Sequence, residues 1–267
     1  MLAVTGGKGG CGKTTTALGL ARTLARRGTE PLVLDADCDM PDLHHLAGIE
    51  RTDGVDALAR GAPLARICQH PAAFPGVAVV TAGRPGRTGP ALRATRGWGG
   101  PVLVDCPAGV GPDATRPLRH ADAALVVSTD DPQSLDDTRR TVTAARQLNA
   151  PPAGVLLRTT ARRPAETPGR VAGCPVLAAV SEVSDPLDGP PLSQTWSTVA
   201  DHLLAATSVL STASAGNGAT PETGNHRTNG PTGADNHDTE CRSTGDRAGD
   251  TVVRPDGSGR CRSSRWP

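Results

Sequence analysis

The sequence predicts an α/β protein whose core is one mostly parallel, doubly wound sheet. Along the first 211 residues, short apolar runs of strand length alternate with segments of helical periodicity. Two of the apolar runs end in aspartate, at Asp35 and Asp105, as expected where buried parallel strands reach the ligand-binding edge of a sheet. A glycine-rich segment separates the first apolar run from the first helical segment. These features together favour three layers, with helices on both faces of the sheet.

The first predicted elements surround the glycine-rich segment. Residues 2–4 form the first strand, and the helix that follows ends near Gly28, because glycine commonly follows the last turn of a helix. A second strand covers residues 31–34. Residues 40–75 are expected to be loop with short helical pieces, of which residues 55–59 give the clearest pattern. The first helix carries its apolar residues on one side, at Ala17, Leu20, Ala21 and Leu24.

The later elements continue the alternation. Residues 83–100 are rich in glycine, proline and arginine and are expected to be an exposed, mobile connection. A closing helix over residues 195–210 is expected to bury one side, at Trp196, Val199, Leu203 and Ala206. The remaining predictions are strands at residues 77–80, 101–105, 123–128, 154–157 and 175–180, and a helix at residues 133–148.

Composition divides the chain into two parts. Residues 1–211 form the predicted folded domain. Residues 212–267 contain no Leu, Ile, Phe or Met, so they bury too little apolar area to offset the entropy lost on ordering. We expect this low-complexity tail to be disordered.

Charge and cysteine content exclude several classes of protein. The net charge of +1 gives no overall field that would attract nucleic acid. Seven cysteines without a C-x-x-C pair predict reduced thiols in the cytoplasm, rather than a disulfide framework or a zinc ribbon. We expect no leader before the first strand, because residues 1–4 already belong to the predicted fold, and no apolar run approaches the length of about 20 residues that spans a bilayer.

The glycine-rich segment matches the pattern that binds phosphate. From Gly7 to Thr14 the sequence is a glycine, four residues, and then Gly-Lys-Thr. Its glycines let backbone N–H groups face phosphate oxygens, Lys13 reaches the terminal phosphates, and the Thr14 hydroxyl binds Mg²⁺. The only two lysines of the chain, Lys8 and Lys13, both lie here, which indicates positions where arginine cannot substitute.

With this loop, Asp37 and the segment from Asp105 to Gly109, the chain resembles the MinD/ParA family of P-loop ATPases. Lys8 resembles the additional lysine of that family's deviant loop, and the Asp-x-Pro-Ala-Gly sequence looks closer to the MinD branch than to plasmid-partitioning ParA. The resemblance covers about residues 2–210. It implies a three-layer P-loop NTPase fold, with ATP and Mg²⁺ as ligands.

The resemblance also implies the role of each site residue. Two subunits of the family enclose two ATP molecules, so Lys8 is expected to reach the nucleotide of the partner subunit. Asp37 is expected to orient the attacking water, and Asp105 to contact Mg²⁺ through water, so that Thr14, Asp37 and Asp105 surround the metal. Asp39 and Asp42 are expected in the segment that senses the γ-phosphate. The predicted phosphate-binding positions are Gly7, Lys8, Gly9, Gly10, Cys11, Gly12, Lys13, Thr14 and Thr15.

The chain departs from the family near the nucleotide base. Relatives commonly have an asparagine that reads adenine where this chain has Arg158, which we place at the cofactor site, where an arginine could stack on the base. Ser181 replaces a proline of the neighbouring loop. The amphipathic helix with which MinD proteins commonly end is not evident, so the sequence predicts no membrane anchor.

The predicted function is an ATPase switch that dimerises on ATP, responds to an unknown activating protein and takes part in intracellular positioning. One alternative is a ParA-like partitioning ATPase that binds DNA through a basic face. A second is an iron–sulfur carrier of the Mrp type, although the chain lacks a C-x-x-C pair. A biosynthetic amidase or ligase and a non-catalytic scaffold remain as further alternatives. The candidate basic face comprises Arg139, Arg140, Arg146 and residues 162–163.

Overall fold

The protein is built on one eight-stranded sheet with the strand order β3-β2-β4-β1-β5-β6-β8-β7. The computed structural model describes residues 1–159, 169–181, 187 and 190–207. Neighbouring strands are parallel, except that β7 pairs with β8 antiparallel. The predicted mostly parallel sheet is therefore confirmed. The strands are β1 (Leu2–Thr5), β2 (Leu32–Asp35), β3 (Ala78–Val80), β4 (Val102–Asp105), β5 (Ala123–Thr129), β6 (Pro152–Thr159), β7 (Arg170–Val171) and β8 (Cys174–Ser181).

Helices cover both faces of the sheet, as predicted. In β1, Leu2 and Val4 pack toward α1 and α8, whereas Ala3 packs toward the face covered by α3 and α5. Because both faces are covered, every residue of β1 is buried. The helices are α1 (Lys13–Arg26), α2 (Leu43–Ala47), α3 (Gly54–Ala59), α4 (Leu64–Ile67), α5 (Thr88–Ala94), α6 (Pro112–Thr115), α7 (Pro132–Gln147) and α8 (Pro190–Ala206).

Helix α1 ends as the sequence predicts. Gly28 has a φ of 84°, in the left-handed region that glycine enters without steric cost. Its N–H donates to the carbonyl of Ala25 at 2.9 Å, and the N–H of Thr29 donates to that of Leu24 at 3.3 Å. These bonds satisfy carbonyls that the last helical turn would otherwise leave unpaired.

The prediction of an exposed connection over residues 83–100 was wrong. Helix α5 lies in this segment and buries Ala91 and Leu92 against the sheet. Its proline, Pro90, is the third residue of the helix, where a missing N–H costs no intrahelical hydrogen bond. The glycine and proline content of the segment indicated a loop, although the segment contains a short helix that packs on the sheet.

The closing helix is confirmed, but its buried side differs at one position. Trp196, Val199 and Leu203 are buried as predicted, whereas Ala206 is exposed and Ala200 is buried instead. The predicted end at residue 210, the basic residues 162–163 and the tail at residues 212–267 lie outside the described residues. Among the described residues, no helix combines the length and the apolar character needed to cross a membrane.

Candidate functional site

The glycine-rich loop connects β1 to α1, and part of its main chain has free space beside it. Gly10 and Gly12 have φ values of 73° and 93°, and α1 begins directly after Gly12. A Cβ atom at Gly9 or Gly10 would meet nothing within 4 Å. The loop therefore has free space on this side, next to the positive end of the α1 dipole.

The start of the same loop is tightly packed. A Cβ atom at Gly6 would lie 2.4 Å from the carbonyl oxygen of Val127, and one at Gly7 would lie 2.4 Å from the Cβ of Asp137. The N–H of Gly109 donates to the carbonyl of Gly6 at 3.0 Å. The loop is thus held against β5, against α7 and against the segment that follows β4.

The two lysines have different surroundings. Lys13 is 8% exposed, and its Nζ donates to the backbone carbonyl of Lys8 at 3.4 Å. The side chain of Lys8 is 47% exposed, and its Nζ lies 3.3 Å from Oδ2 of Asp131. Lys13 is therefore directed into the loop, whereas Lys8 lies at its outer surface.

Asp131, which the sequence analysis did not single out, is bonded to three neighbours. It caps α7 by accepting the N–H of Ser134 at 3.0 Å, and it accepts the Thr129 hydroxyl at 2.6 Å. The Thr129 hydroxyl, the Ser134 N–H and Lys8 together lower the pKa of Asp131 to about 2. The signal in the sequence was Asp131 followed by Pro132, a cap residue before a proline at the first helical position.

Two buried carboxyl groups lie side by side at the ends of β2 and β4. Asp35 and Asp105 are partners in the strand register, and they are 1% and 2% exposed. Burial, reinforced by the neighbouring Asp105, raises the pKa of Asp35 to about 8. Burial likewise raises the pKa of Asp105 to about 7, against the opposing effects of a Thr14 hydrogen bond and the Lys13 charge. The sequence pattern identifies Asp35 only as the end of a strand. Its pairing with Asp105 joins residues far apart in the chain, so a local pattern does not show it.

Each of these carboxyl groups has one oxygen without a partner. Oδ2 of Asp35 and Oδ1 of Asp105 are buried and accept no hydrogen bond from the described residues. A buried carboxylate left in this state is costly unless a cation or water satisfies it. The unpartnered oxygen of Asp105, whose carboxyl group is hydrogen-bonded to Thr14, therefore fits a hydrated divalent cation. No three His, Cys, Asp or Glu side chains within the described ranges form a metal cluster, and Mg²⁺ does not need one because it keeps several waters.

Asp37 lies in the loop that follows β2 and is half-buried. Its Oδ1 accepts the N–H groups of Asp39 at 3.2 Å and Met40 at 3.0 Å, and its own N–H donates to Oδ1 of Asp35. These bonds hold the carboxylate by one oxygen. The second oxygen can accept a hydrogen bond from water or contact a metal ion.

A cleft of about 340 Å³ brings most of the predicted residues together. Several of the predicted residues do not line the cleft. Lys8 is directed to Asp131, and the side chains of Cys11 and Asp105 are buried. Gly7 packs against Asp137 and is likewise outside the lining. Asp42 lines the cleft, whereas Asp39 does not. The lining residues are Gly9, Gly10, Gly12, Lys13, Thr14, Thr15, Asp37, Met40, Asp42, Leu46, Ala108 and Arg158.

The fold and this cleft define a P-loop nucleotide-binding protein. Residues 2–185 match the model of the CobQ/CobB/MinD/ParA nucleotide binding domain. Since this span exceeds half of the chain, the protein belongs to that family.

Individual relatives agree with this assignment. An uncharacterized ATP-binding protein of Methanocaldococcus jannaschii is 30% identical over 168 residues, which cover 58% of this chain and 62% of the relative. The septum site-determining protein MinD of Synechocystis is 27% identical over 154 residues, covering 53% and 58%. An iron–sulfur cluster carrier protein of M. jannaschii is 26% identical over 168 residues, covering 58% of each. The chain thus spans about 60% of the length of these curated relatives.

A solved structure supports the fold. The septum site-determining protein MinD of Pyrococcus horikoshii, in complex with Mg-ADP, superposes with a TM-score of 0.66. It is 23% identical, and the superposition covers 76% of this chain and 96% of that one.

Proposed function

We propose that this chain is a MinD-like switch that binds ATP and Mg²⁺, dimerises on ATP, hydrolyses it slowly and acts in intracellular positioning in the cytoplasm. The observation that carries the proposal is the arrangement around one cleft: Lys13 and Asp37 line it, and Lys8 lies on the outer surface of the loop that forms it. The described cysteines are free thiols, which suits a reducing compartment.

The residues of the loop would bind the triphosphate. The main chain from Gly9 to Gly12 would donate to phosphate oxygens, with Thr15 beside it. Lys13 would exchange its bond to the Lys8 carbonyl for the terminal phosphates. Three residues would surround Mg²⁺. The Thr14 hydroxyl would bind it, Asp105 would contact it through water, and Asp37 would complete the set. The metal ion would neutralise charge on the phosphate oxygens during transfer.

A switch needs two properties beyond nucleotide binding, which are hydrolysis and a response to dimerisation. Asp37 would supply the first and Lys8 the second. Asp37, held by one oxygen, would orient the attacking water with the other. Lys8 is half-exposed, so in an ATP dimer Lys8 of the partner subunit would reach the phosphates across the interface. A site that is completed only by a second chain turns over slowly alone, and we place stimulation by an unknown activating protein at that step.

Light scattering with simultaneous measurement of phosphate release tests this function. We expect a dimer with ATP and a monomer with ADP. Asp37→Ala should retain the ATP dimer while hydrolysis falls by about 10²- to 10⁴-fold, because the carboxylate that orients the attacking water is lost. Lys8→Ala should remain monomeric. A monomer under every condition would overturn the proposal.

An iron–sulfur carrier is the second candidate, because relatives with that name are about as similar as the MinD proteins. Against it, Cys11 and Cys106 are buried, and burial raises the pKa of both thiols, whereas cluster ligands are thiolates. Anaerobic reconstitution with iron and sulfide distinguishes the two: we expect no bound cluster after desalting. A stable cluster would favour the carrier.

DNA binding in the ParA manner is not expected. On α7, Arg139 and Arg140 are each paired with an aspartate one helical turn away, Asp136 and Asp137. Such pairs leave little net charge for phosphate contacts. A salt-sensitive shift of duplex DNA that requires ATP would contradict this expectation.

A further inference from the structure

Arg158 lies at the end of β6, at the same sheet edge as the phosphate loop. It is opposite Thr129 of β5 in the strand register, and the N–H of Asp130 donates to its carbonyl at 3.1 Å. Its backbone is therefore fixed by the sheet. A side chain of this length can reach the loop or extend away from it.

The guanidinium group reaches the loop. Nη1 of Arg158 donates to the carbonyl of Gly10 at 3.2 Å. A Cβ atom at Gly12 would lie 3.0 Å from Cδ and 3.2 Å from Nη1 of Arg158. The glycine at position 12 thus gives the arginine room to lie directly against the residue that precedes Lys13.

The charge of Arg158 acts inside the loop. Burial raises the pKa of the Cys11 thiol, and the positive charges of Lys13 and Arg158 oppose that rise. Within the described part of the chain, no carboxylate pairs with Arg158, and its hydrogen bond is the one to Gly10. A guanidinium group has five N–H donors, so several are left to bind an anion in the cleft.

We propose that Arg158 binds the α- and β-phosphate oxygens of the nucleotide and does not read the base. The planar fork of arginine matches two phosphate oxygens, and its bond to Gly10 holds the fork at the phosphate loop. The substrate feature recognised here is the polyphosphate chain, which is shared by all nucleoside triphosphates. This inference rests on the proposed function, because it takes the cleft as the triphosphate site.

Equilibrium binding of ATP, GTP and inorganic tripolyphosphate to the full chain with Mg²⁺ separates the two roles. Arg158→Met removes the charge but retains a side chain of similar length. We expect it to weaken all three ligands by the same factor, about tenfold or more, because one charge-assisted contact to phosphate is lost. Arg158→Lys should restore part of the affinity. Arg60→Ala, which removes an exposed arginine paired with Asp53 outside the cleft, should change none of the three.

The outcomes distinguish this inference from the proposed function. A change in the ratio of ATP to GTP affinity in Arg158→Met, with tripolyphosphate unchanged, would show that the arginine reads the base and would overturn the inference. Unchanged affinity for all three ligands would overturn it as well. Lys13→Ala is measured in parallel: if it leaves ATP binding intact while Arg158→Met weakens it, the P-loop function fails and the phosphate role of Arg158 stands.

Discussion

Gly6 and Gly9 lie in the same loop but have opposite surroundings. A Cβ atom at Gly6 would collide with the backbone of Val127, whereas one at Gly9 would meet nothing within 4 Å. We expect Gly6→Ala to lower the free energy of unfolding by about 2 kcal/mol, because strand β5 cannot move aside. Gly9→Ala should change it by less than about 0.5 kcal/mol. Urea unfolding of both variants checks this, and equal losses would contradict the close approach at Gly6.

The charge of Asp131 makes stability depend on pH. Its folded pKa, about 2, lies below the usual aspartate value of about 3.9. The stabilisation by its carboxylate is therefore present above about pH 4 and is lost as the pH falls toward 2. Asp131→Asn keeps a good cap residue but removes the charge.

Thermal unfolding of wild type and Asp131→Asn across this range provides the measurement. The wild type should be more stable at pH 5, and the difference should shrink as the pH approaches 2. A difference that stays constant with pH would mean that the carboxylate charge has no part in it.

At the scale of single residues, the sequence predicts the members of the site that belong to a local pattern. Lys13 and Thr14 follow from the spacing of the loop, and the resemblance to the MinD/ParA family adds Lys8 and Asp37. The contacts of Asp35 with Asp105 and of Lys8 with Asp131 could not be predicted in the same way. They depend on strand register and on the approach of α7, which join residues far apart in the chain.

At the scale of elements, the packing of α1 against α8 depends on a glycine. A Cβ atom at Gly19 would lie 2.6 Å from the ring of Trp196, which is buried. Gly19→Ala would improve helix propensity by about 1 kcal/mol, but overpacking of a core costs about 1–3 kcal/mol. We therefore expect a net loss of stability, measured by urea unfolding.

A second substitution tests the cause. Trp196→Phe in the Gly19→Ala background makes room for the new methyl group and should recover stability relative to Gly19→Ala alone. Gly99→Ala, where nothing lies within 4 Å, is the matched control and should have little effect. If Gly19→Ala stabilises the protein, the two helices have more space between them than their contacts indicate.

The elements that the sequence predicts best are the strands. The buried parallel strands β1, β2 and β4 are apolar at every position but the last, so their runs stand out from the polar connections. The sequence does not predict helix α5, because its two buried apolar residues, Ala91 and Leu92, are too few to give a helical period. Its packing comes from the sheet beneath it, which a local pattern does not contain.

At the scale of the whole molecule, the described core ends before the predicted tail. The buried apolar residues of the described structure lie between Leu2 and Leu203. We propose that residues 1–211 are the functional domain, and a chain that ends at residue 211 should unfold at the same temperature and bind ADP with the same affinity as the full chain. Calorimetry of both chains is the test. A lower unfolding temperature for the shorter chain would assign the remaining residues a stabilising role.

The loops at the carboxyl edge of the sheet are joined to one another by main-chain hydrogen bonds. The N–H of Ala36 donates to the Asp105 carbonyl, that of Cys106 to Val4, and that of Gly109 to Gly6. Any residue except proline supplies such an N–H group, so these three links depend on the backbone and not on the identity of the donor's side chain. The scarcity of lysine in this chain, which contains only Lys8 and Lys13, therefore has no effect on how these segments are joined.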